Sequence, residues 1–170
     1  MAAKPKIRIF ENFLPPDLQV EVLQVLREPR WNLGNAPEIK GEKEPAKLWH
    51  MNGLEEYPLF SETIFERITE ALEGEYRIVR AYANGQMACQ QGHLHTDDGA
   101  LTFLYYPLQR WHPDWGGNLM LYNGPNVFGC ISYIPNRAIC FPAMIPHRAE
   151  APSKNYDGLR VSVAWKLETA

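Results

Sequence analysis

The segment "LRVSVAWKL", residues 159–167, is the last of five short β-rich runs in the second half of the chain. One face of the predicted strand carries Val161, Val163 and Trp165, and the other begins with Arg160. The four earlier runs are "YRIVRAYA" (76–83), "ALTFLYYP" (100–107), "GNLMLYNG" (117–124) and "RAICFP" (137–142). Short strands divided by Gly, Pro and Asn predict a β-sandwich or barrel.

Two helices are predicted before this β-rich half. A short strand at residues 7–10 precedes the first helix, which has Pro15 and Pro16 in its first turn. The second helix is predicted between Ser61, which can cap it, and Gly74, which can end it. Its apolar stripe is Ile64, Phe65, Ile68, Ala71 and Leu72. The predicted class is therefore mainly β with N-terminal helices, an α+β protein.

The segment 30–57 is polar and lacks a clear period, with "GNAPEIKGEKEPAK" in its middle. We predict a long loop here. Loops of this length often act as lids over functional sites.

Composition narrows the classes of partner. The chain has 170 residues, 45% hydrophobic content and a net charge of −3 from interspersed acids and bases, as expected for one domain with a buried core. There is neither a polybasic stretch for nucleic acid nor an apolar run long enough for a membrane helix.

The start of the sequence has no signal-peptide pattern, and the three cysteines are widely spaced. We therefore predict a cytoplasmic protein with reduced thiols. The sequence leaves the oligomeric state open.

The segment "GHLHTDDGA", residues 92–100, concentrates candidate metal ligands. If it is extended, His93, His95 and Asp97 project from the same face. A third ligand must then come from elsewhere, and His147 follows another predicted strand. Two imidazoles with one carboxylate leave open positions on a metal and are typical of non-haem Fe(II) sites.

Arg160 lies at the start of the last predicted strand, with Ser162 two residues later on the same face. A guanidinium in this position can bind a carboxylate through two charge-assisted hydrogen bonds. An ordinary ion pair at the barrel rim is the alternative that remains open.

From residue 76 to residue 166 the sequence resembles the prolyl-4-hydroxylase-like branch of the Fe(II)/2-oxoglutarate-dependent dioxygenases. The resemblance is carried by "HTD" (95–97), "DWGGNLMLY" (114–122), "IPHRAEAP" (145–152) and "LRVSVAW" (159–165), in that order. It implies a double-stranded β-helix, or jelly-roll barrel, buttressed by the two helices. The whole chain, 1–170, would be one such domain, with helical support over 1–75 and the jelly-roll core over 76–168.

The resemblance also implies roles for individual residues. His95, Asp97 and His147 would bind Fe(II), and Arg160 would bind the distal carboxylate of 2-oxoglutarate. These four residues would form the catalytic set. The enzyme would use O2, with ascorbate as a candidate reductant, to hydroxylate an unactivated C–H bond of a small molecule, an amino acid or a peptidyl residue, prolyl included. Succinate and CO2 would be released.

Three further side chains are implied to contact the co-substrate. Tyr82 would line its pocket, Tyr106 would hydrogen-bond its distal carboxylate, and Ser162 would make a secondary contact. A shift of one residue in the strand would exchange Tyr106 for Tyr105.

Two other functions remain open from the sequence. A cupin-type metalloenzyme would use His93, His95 and His147 and need no 2-oxoglutarate. A jelly-roll module that binds a ligand without catalysis would need no metal.

The loop around Trp111 and Trp115 is either surface packing or part of a substrate entrance. His50 and His112 are interpreted as ordinary polar residues.

Overall fold

The computed structural model of the protein describes residues 6–35 and 47–170. Helix α1 spans Pro16–Leu26 and helix α2 spans Ile64–Leu72. The strands within these described residues are β1 (Arg8–Phe10), β2 (Asn32–Asn35), β3 (Lys47–Asn52), β4 (Tyr76–Gln86), β5 (Leu101–Tyr105), β6 (Leu119–Asn123), β7 (Asn126–Ile131), β8 (Ala138–Pro142), β9 (His147–Ala149) and β10 (Arg160–Thr169).

The strands form two antiparallel sheets. The larger sheet has the order β1-β8-β5-β10-β4-β3-β2, and the smaller has the order β7-β6-β9. Between them lies a buried apolar cluster that includes Ile139 and Phe141 of β8 and Leu119 and Leu121 of β6. Two sheets that close over a shared core give the jelly roll. The predicted fold class, mainly β with two helices, is confirmed.

Strand β10 lies at the centre of the larger sheet, where it pairs with β4 along one edge and with β5 along the other. Both of its faces are buried. Val161, Val163 and Trp165 belong to the buried cluster that the helices cover. The indole of Trp165 donates to the carbonyl oxygen of Phe60 at 3.1 Å. The predicted alternation in this strand is confirmed, and its other face, which begins with Arg160, is turned to the barrel interior.

The prediction of a continuous loop over 30–57 is wrong. β2 and β3 pair with each other, and β3 pairs with β4, so both strands extend the larger sheet. The middle of the predicted loop, residues 36–46, lies outside the described residues. The sequence of β3 does not show a clear alternation of apolar and polar residues, because Met51 is buried in the core while His50 faces a polar cavity. Three strands from the predicted helical support, β1 to β3, thus join the jelly-roll sheet, and the division at residue 75 stays a prediction.

The ends of the second helix also differ from the prediction. A π-helical turn over Leu59–Thr63 precedes α2, and the Ser61 hydroxyl donates to the Tyr57 carbonyl oxygen at 3.0 Å instead of capping the helix. The helix ends one residue before the segment Glu73–Gly74, and Glu73, with φ of 56°, takes the left-handed conformation there. No helix in the described parts of the chain is both long and apolar enough to cross a membrane.

Asn136 links the segment before α1 to the jelly roll. Its side chain accepts hydrogen bonds from the Leu14 amide at 2.9 Å and the Tyr105 hydroxyl at 3.1 Å, and donates to the Leu14 carbonyl oxygen at 2.9 Å. Asn136 is buried and has a φ of 59°, a conformation that asparagine tolerates better than most residues.

We expect Asn136→Ala to lower the free energy of unfolding by about 3 kcal/mol, because three buried polar groups lose their partner. Urea unfolding followed by circular dichroism measures this change. The exposed Asn123 provides a matched control, and Asn123→Ala should change stability by less than about 0.5 kcal/mol. Equal effects of the two substitutions would contradict the linking role.

Candidate active site

Backbone pairing brings the two candidate histidine ligands together. His95 lies between β4 and β5 and forms an isolated bridge with His147 of β9. The His95 amide donates to the His147 carbonyl oxygen at 3.0 Å, and the reverse bond is 2.8 Å. The Asp97 amide donates to the Ala143 carbonyl oxygen at 2.9 Å. The segment around His95 is therefore held by single bridges and not by a regular strand.

The side chains of His95, Asp97 and His147 converge, with one candidate ligand atom from each lying within 4.8 Å of the others. His95 Nδ1 lies 2.9 Å from the His93 carbonyl oxygen, and His147 Nδ1 lies 2.8 Å from that of Ile145. Since a carbonyl oxygen only accepts, each Nδ1 carries the ring proton. Each Nε2 then presents its lone pair to the centre of the cluster.

This donor set is arranged so that it can hold a cation. His147 Nε2 lies 3.2 Å from Asp97 Oδ2, and His95 Nε2 lies 3.6 Å from Asp97 Oδ1. Lone pairs that face one another at these distances repel unless a proton or a metal ion lies between them. Two neutral imidazoles and one carboxylate are the ligands of the Fe(II) facial triad, so these residues fit that metal.

Electrostatics favour the ligand forms of these side chains. Burial alone would raise the pKa of Asp97, but the contact with His147 and the charge of Lys166 outweigh it and hold that pKa well below its usual range. Burial, followed by the neighbouring His147, lowers the pKa of His95. A carboxylate and a neutral imidazole are thus favoured at neutral pH.

His93 does not join the metal cluster. Within the described residues, the group of candidate ligands that converges is His95, Asp97 and His147. His93 contributes its backbone carbonyl to His95 and its side chain lines the adjacent cavity. The three-histidine set of the cupin alternative is therefore not assembled.

Arg160 projects into the barrel and is 1% exposed. Its Nε donates to the Gly117 carbonyl oxygen at 2.8 Å and its Nη1 donates to Gln86 Oε1 at 3.0 Å. The guanidinium carbon lies 5.1 Å from the ring centre of Tyr133 and 5.5 Å from that of Tyr106. These two hydrogen-bond partners are neutral oxygens, and Arg160 forms no ion pair at the barrel rim with any residue of 6–35 or 47–170.

Tyr106 has a buried hydroxyl that lacks a hydrogen-bond partner among the described residues. Desolvation of this kind is costly unless a ligand supplies the missing bond. Tyr105 instead faces the helices and bonds to Asn136. The register thus puts Tyr106, and not Tyr105, beside Arg160. An orphaned hydroxyl next to a buried guanidinium fits a carboxylate of 2-oxoglutarate.

A cavity of about 350 Å³ opens beside the metal cluster. His50 of β3, Asn84 of β4 and Ser162 of β10 form one cross-strand row along its wall, since His50 pairs with Asn84 and Asn84 pairs with Ser162. Tyr82 lines the same cavity. His50, interpreted above as an ordinary polar residue, faces this cavity.

Sequence reasoning missed two side chains that hold Asp97. The Thr102 hydroxyl donates to Asp97 Oδ2 at 2.6 Å, and the Lys166 ammonium contacts the same oxygen. Lys166 is 1% exposed. Lys166 is six residues after Arg160 in β10, so alternation in the sequence already predicted that both side chains lie on the same face of the strand.

The loop around Trp111 and Trp115 packs near Arg160. Trp111 packs on Tyr133 with ring centres 4.2 Å apart, and Trp111 and Trp115 both contact Tyr156. His112 is exposed and its Nδ1 accepts from the Asp114 amide at 3.2 Å. Trp111 therefore helps to cover the arginine, through Tyr133.

Solved structures that share this architecture include prolyl hydroxylases and a 2-oxoglutarate–Fe(II) oxygenase. A prolyl hydroxylase from Trichoplax adhaerens, in complex with a peptide fragment of a hypoxia-inducible-factor oxygen degradation domain, matches with a TM-score of 0.68 and 20% identity over 94% of this chain and 82% of its own. A prolyl-4-hydroxylase from Pseudomonas putida matches with a TM-score of 0.68 and 13% identity over 98% and 94%. HygX from Streptomyces hygroscopicus, with nickel and 2-oxoglutarate bound, matches with a TM-score of 0.69 and 9% identity over 98% and 84%.

No protein-family model and no curated protein matches the sequence. The likeness therefore rests on three-dimensional structure at low sequence identity, which is informative about architecture. The chain has the jelly-roll fold of the 2-oxoglutarate–Fe(II) oxygenases, prolyl hydroxylases among them.

Proposed function

We propose that this protein is an Fe(II)- and 2-oxoglutarate-dependent oxygenase that hydroxylates an unactivated C–H bond. The substrate is a small molecule, an amino acid or a peptidyl residue, prolyl included, and succinate and CO2 are released. One observation carries the proposal: His95, Asp97 and His147 converge within 4.8 Å inside an oxygenase jelly roll that also buries Arg160.

The proposed metal ligands are Nε2 of His95, Nε2 of His147 and the carboxylate of Asp97. When bound, Fe(II) supplies the chemistry of oxygen activation with 2-oxoglutarate as the electron source. The chain itself fixes the three donors. The carbonyl oxygens of His93 and Ile145 set the imidazole tautomers, and such outer contacts orient metal ligands.

The proposed co-substrate contacts are Arg160, Tyr106, Ser162 and Tyr82. Arg160 would bind the distal carboxylate, because Gly117 and Gln86 already fix its orientation and a rigid guanidinium recognises a carboxylate with little loss of entropy. The Tyr106 hydroxyl would donate to the same carboxylate. Tyr82 and Ser162 line the cavity that leads to His95.

Apolar side chains would keep the reacting centre dry. The Phe141 ring packs edge-on against His147 with ring centres 4.8 Å apart, and Tyr106 and Tyr133 stack at 4.1 Å on the arginine side. Exclusion of water strengthens the electrostatic contacts in the site.

Use of ascorbate as a reductant and a cytoplasmic location stay predictions from the sequence.

We expect the purified protein to convert 2-oxoglutarate to succinate only when Fe(II) is present, and faster when a true prime substrate is added. Succinate is quantified by mass spectrometry across a panel of metabolites and short peptides, and a mass gain of one oxygen identifies the product. Heat-denatured protein and a reaction without Fe(II) are the controls. Absence of succinate under all conditions would overturn the proposal.

Metal binding separates the proposed oxygenase from the two alternatives. A cupin-type enzyme that uses His93 would lose metal binding in His93→Ala, whereas the proposed oxygenase should retain it. A jelly-roll module without catalysis would bind no Fe(II) or Mn(II) tightly. Metal titration of wild type and His93→Ala therefore tests all three functions.

A further inference from the structure

We propose that Lys166 is a fixed counter-cation of Asp97 that makes binding of the divalent metal depend on the dianionic co-substrate. The inference rests on the proposed function. It concerns a residue that ligates neither metal nor co-substrate. In this proposal 2-oxoglutarate raises metal affinity because Lys166 has already neutralised Asp97, the anionic member of the metal cluster.

Lys166 is enclosed on every side that the structure describes. It is 1% exposed, and its ammonium contacts Asp97 Oδ2 and lies 3.3 Å from the Thr102 hydroxyl. Its Nζ is also 5.5 Å from the centre of the Tyr82 ring. A lysine is almost never buried to this degree without a partner, and Asp97 is that partner.

The position of Lys166 follows from the strand register. In the larger sheet Lys166 of β10 lies opposite Thr102 of β5, and on its other side it lies opposite Arg80 of β4. Thr102 and Lys166 therefore reach one carboxylate oxygen together. Arg80 adds no net charge to the site because it is paired with Asp98 at 2.6 Å.

Charge balance gives the consequence. Asp97 is the only anionic member of the metal cluster, and with Lys166 it forms a neutral pair. The charge of the three protein ligands, −1, is thus cancelled by the buried Lys166 beside them, and a doubly charged metal ion would enter a site with no net negative charge. Burial makes the repulsion between that ion and Lys166 strong, since the interior screens charge poorly. A dianion bound to the metal removes the excess positive charge.

Thr102 and Lys166 contact the same oxygen and predict opposite results. Thr102 is a neutral donor that only orients the carboxylate, so its loss should weaken metal binding. Lys166 orients the carboxylate as well, but it also repels the ion. Removal of its charge should therefore strengthen metal binding when 2-oxoglutarate is absent, which a purely structural lysine would not do.

The test is titration with Mn(II), followed by the electron paramagnetic resonance signal of the free ion, with and without saturating 2-oxoglutarate. For wild type we expect 2-oxoglutarate to tighten Mn(II) binding at least about tenfold. In Lys166→Met we expect the Kd for Mn(II) alone to fall at least about tenfold and the Kd in the presence of 2-oxoglutarate to change little. The coupling between metal and co-substrate then shrinks by the same factor.

Further variants separate charge from folding. Lys166→Gln removes the charge but keeps a hydrogen-bond donor for Asp97, and it should behave as Lys166→Met does. Lys166→Arg keeps the charge and should behave as wild type does. The exposed Lys154 gives a matched control, since Lys154→Met should change neither Kd. Circular dichroism confirms that each variant is folded.

The outcomes also separate this inference from the proposed function. If wild type binds Mn(II) and forms succinate, but Lys166→Met and Lys166→Gln bind Mn(II) alone no more tightly than wild type, the counter-cation role is wrong and the oxygenase stands. If wild type binds no Mn(II) in either condition, the proposed function and the inference both fall.

Discussion

Asp97→Ala should abolish metal binding and lower the turnover of 2-oxoglutarate by on the order of a thousandfold, equivalent to about 4 kcal/mol of activation free energy. Asp97 is the only anionic ligand in the cluster, and without it two imidazoles remain to hold the ion. Isothermal titration with Mn(II) and quantification of succinate measure the two losses.

The same substitution should also destabilise the protein, which would confuse the result if it were not controlled. Asp97→Ala leaves Lys166 as an uncompensated buried cation, and breaking one side of a buried ion pair costs about 3–5 kcal/mol. The double variant Asp97→Ala with Lys166→Met should recover most of that stability in urea unfolding. It should recover no turnover, because the metal ligand is still missing.

Asp98 is the matched control for this experiment. It is the next residue in the chain and forms an exposed pair with Arg80, where a contribution of less than about 1 kcal/mol is expected. Asp98→Ala should therefore retain metal binding. Turnover in Asp97→Ala close to that of Asp98→Ala would show that Asp97 is not a metal ligand and would remove the basis of the oxygenase proposal.

The sequence was informative wherever local pattern determines structure. Alternation placed Val161, Val163 and Trp165 on the buried face of β10, and helical spacing marked Ile64 and Ile68 as core residues. These patterns survive because each face contacts one environment over several residues. β3 was missed because one of its faces lines a polar cavity and only Met51 is fully buried, so a strand of the sheet has the composition of a surface loop.

In the candidate site, too, some residues were predictable from the sequence and others were not. The order of the motifs pointed to His95, Asp97, His147 and Arg160, and the structure brings the first three together. Lys166 could be placed on the face of Arg160 but not beside Asp97. That contact depends on the register in which β10 pairs with β5, which is set by long-range packing and by no local signal.

Alternation alone also gave the wrong reason for a correct pairing. His95 and Asp97 were expected to share a face because they would lie in one strand. In the structure they converge because His95 bridges to His147 and the Asp97 amide bonds to Ala143. Isolated bridges of this kind follow from the closure of the barrel, which the residues near position 95 do not encode by themselves.

Arg160→Ala should raise the KM for 2-oxoglutarate about a hundredfold, close to 3 kcal/mol, since a charge-assisted pair with a carboxylate is lost from a buried site. Arg160 is 1% exposed and its Nε and Nη1 are oriented by Gly117 and Gln86, so water cannot easily replace it. Succinate formation at varied 2-oxoglutarate concentration measures the change.

A readout of selectivity distinguishes recognition of the distal carboxylate from general damage. Wild type should strongly prefer 2-oxoglutarate to 2-oxobutyrate, which lacks that carboxylate, and Arg160→Ala should lose most of the preference. The exposed Arg110 serves as control, and Arg110→Ala should leave both KM and preference unchanged. Because Arg160 makes no contact with the metal ligands in the structure, Mn(II) binding without 2-oxoglutarate should persist in Arg160→Ala. A variant that kept the wild-type preference would place the distal carboxylate elsewhere, and the orphaned hydroxyl of Tyr106 would then need another partner.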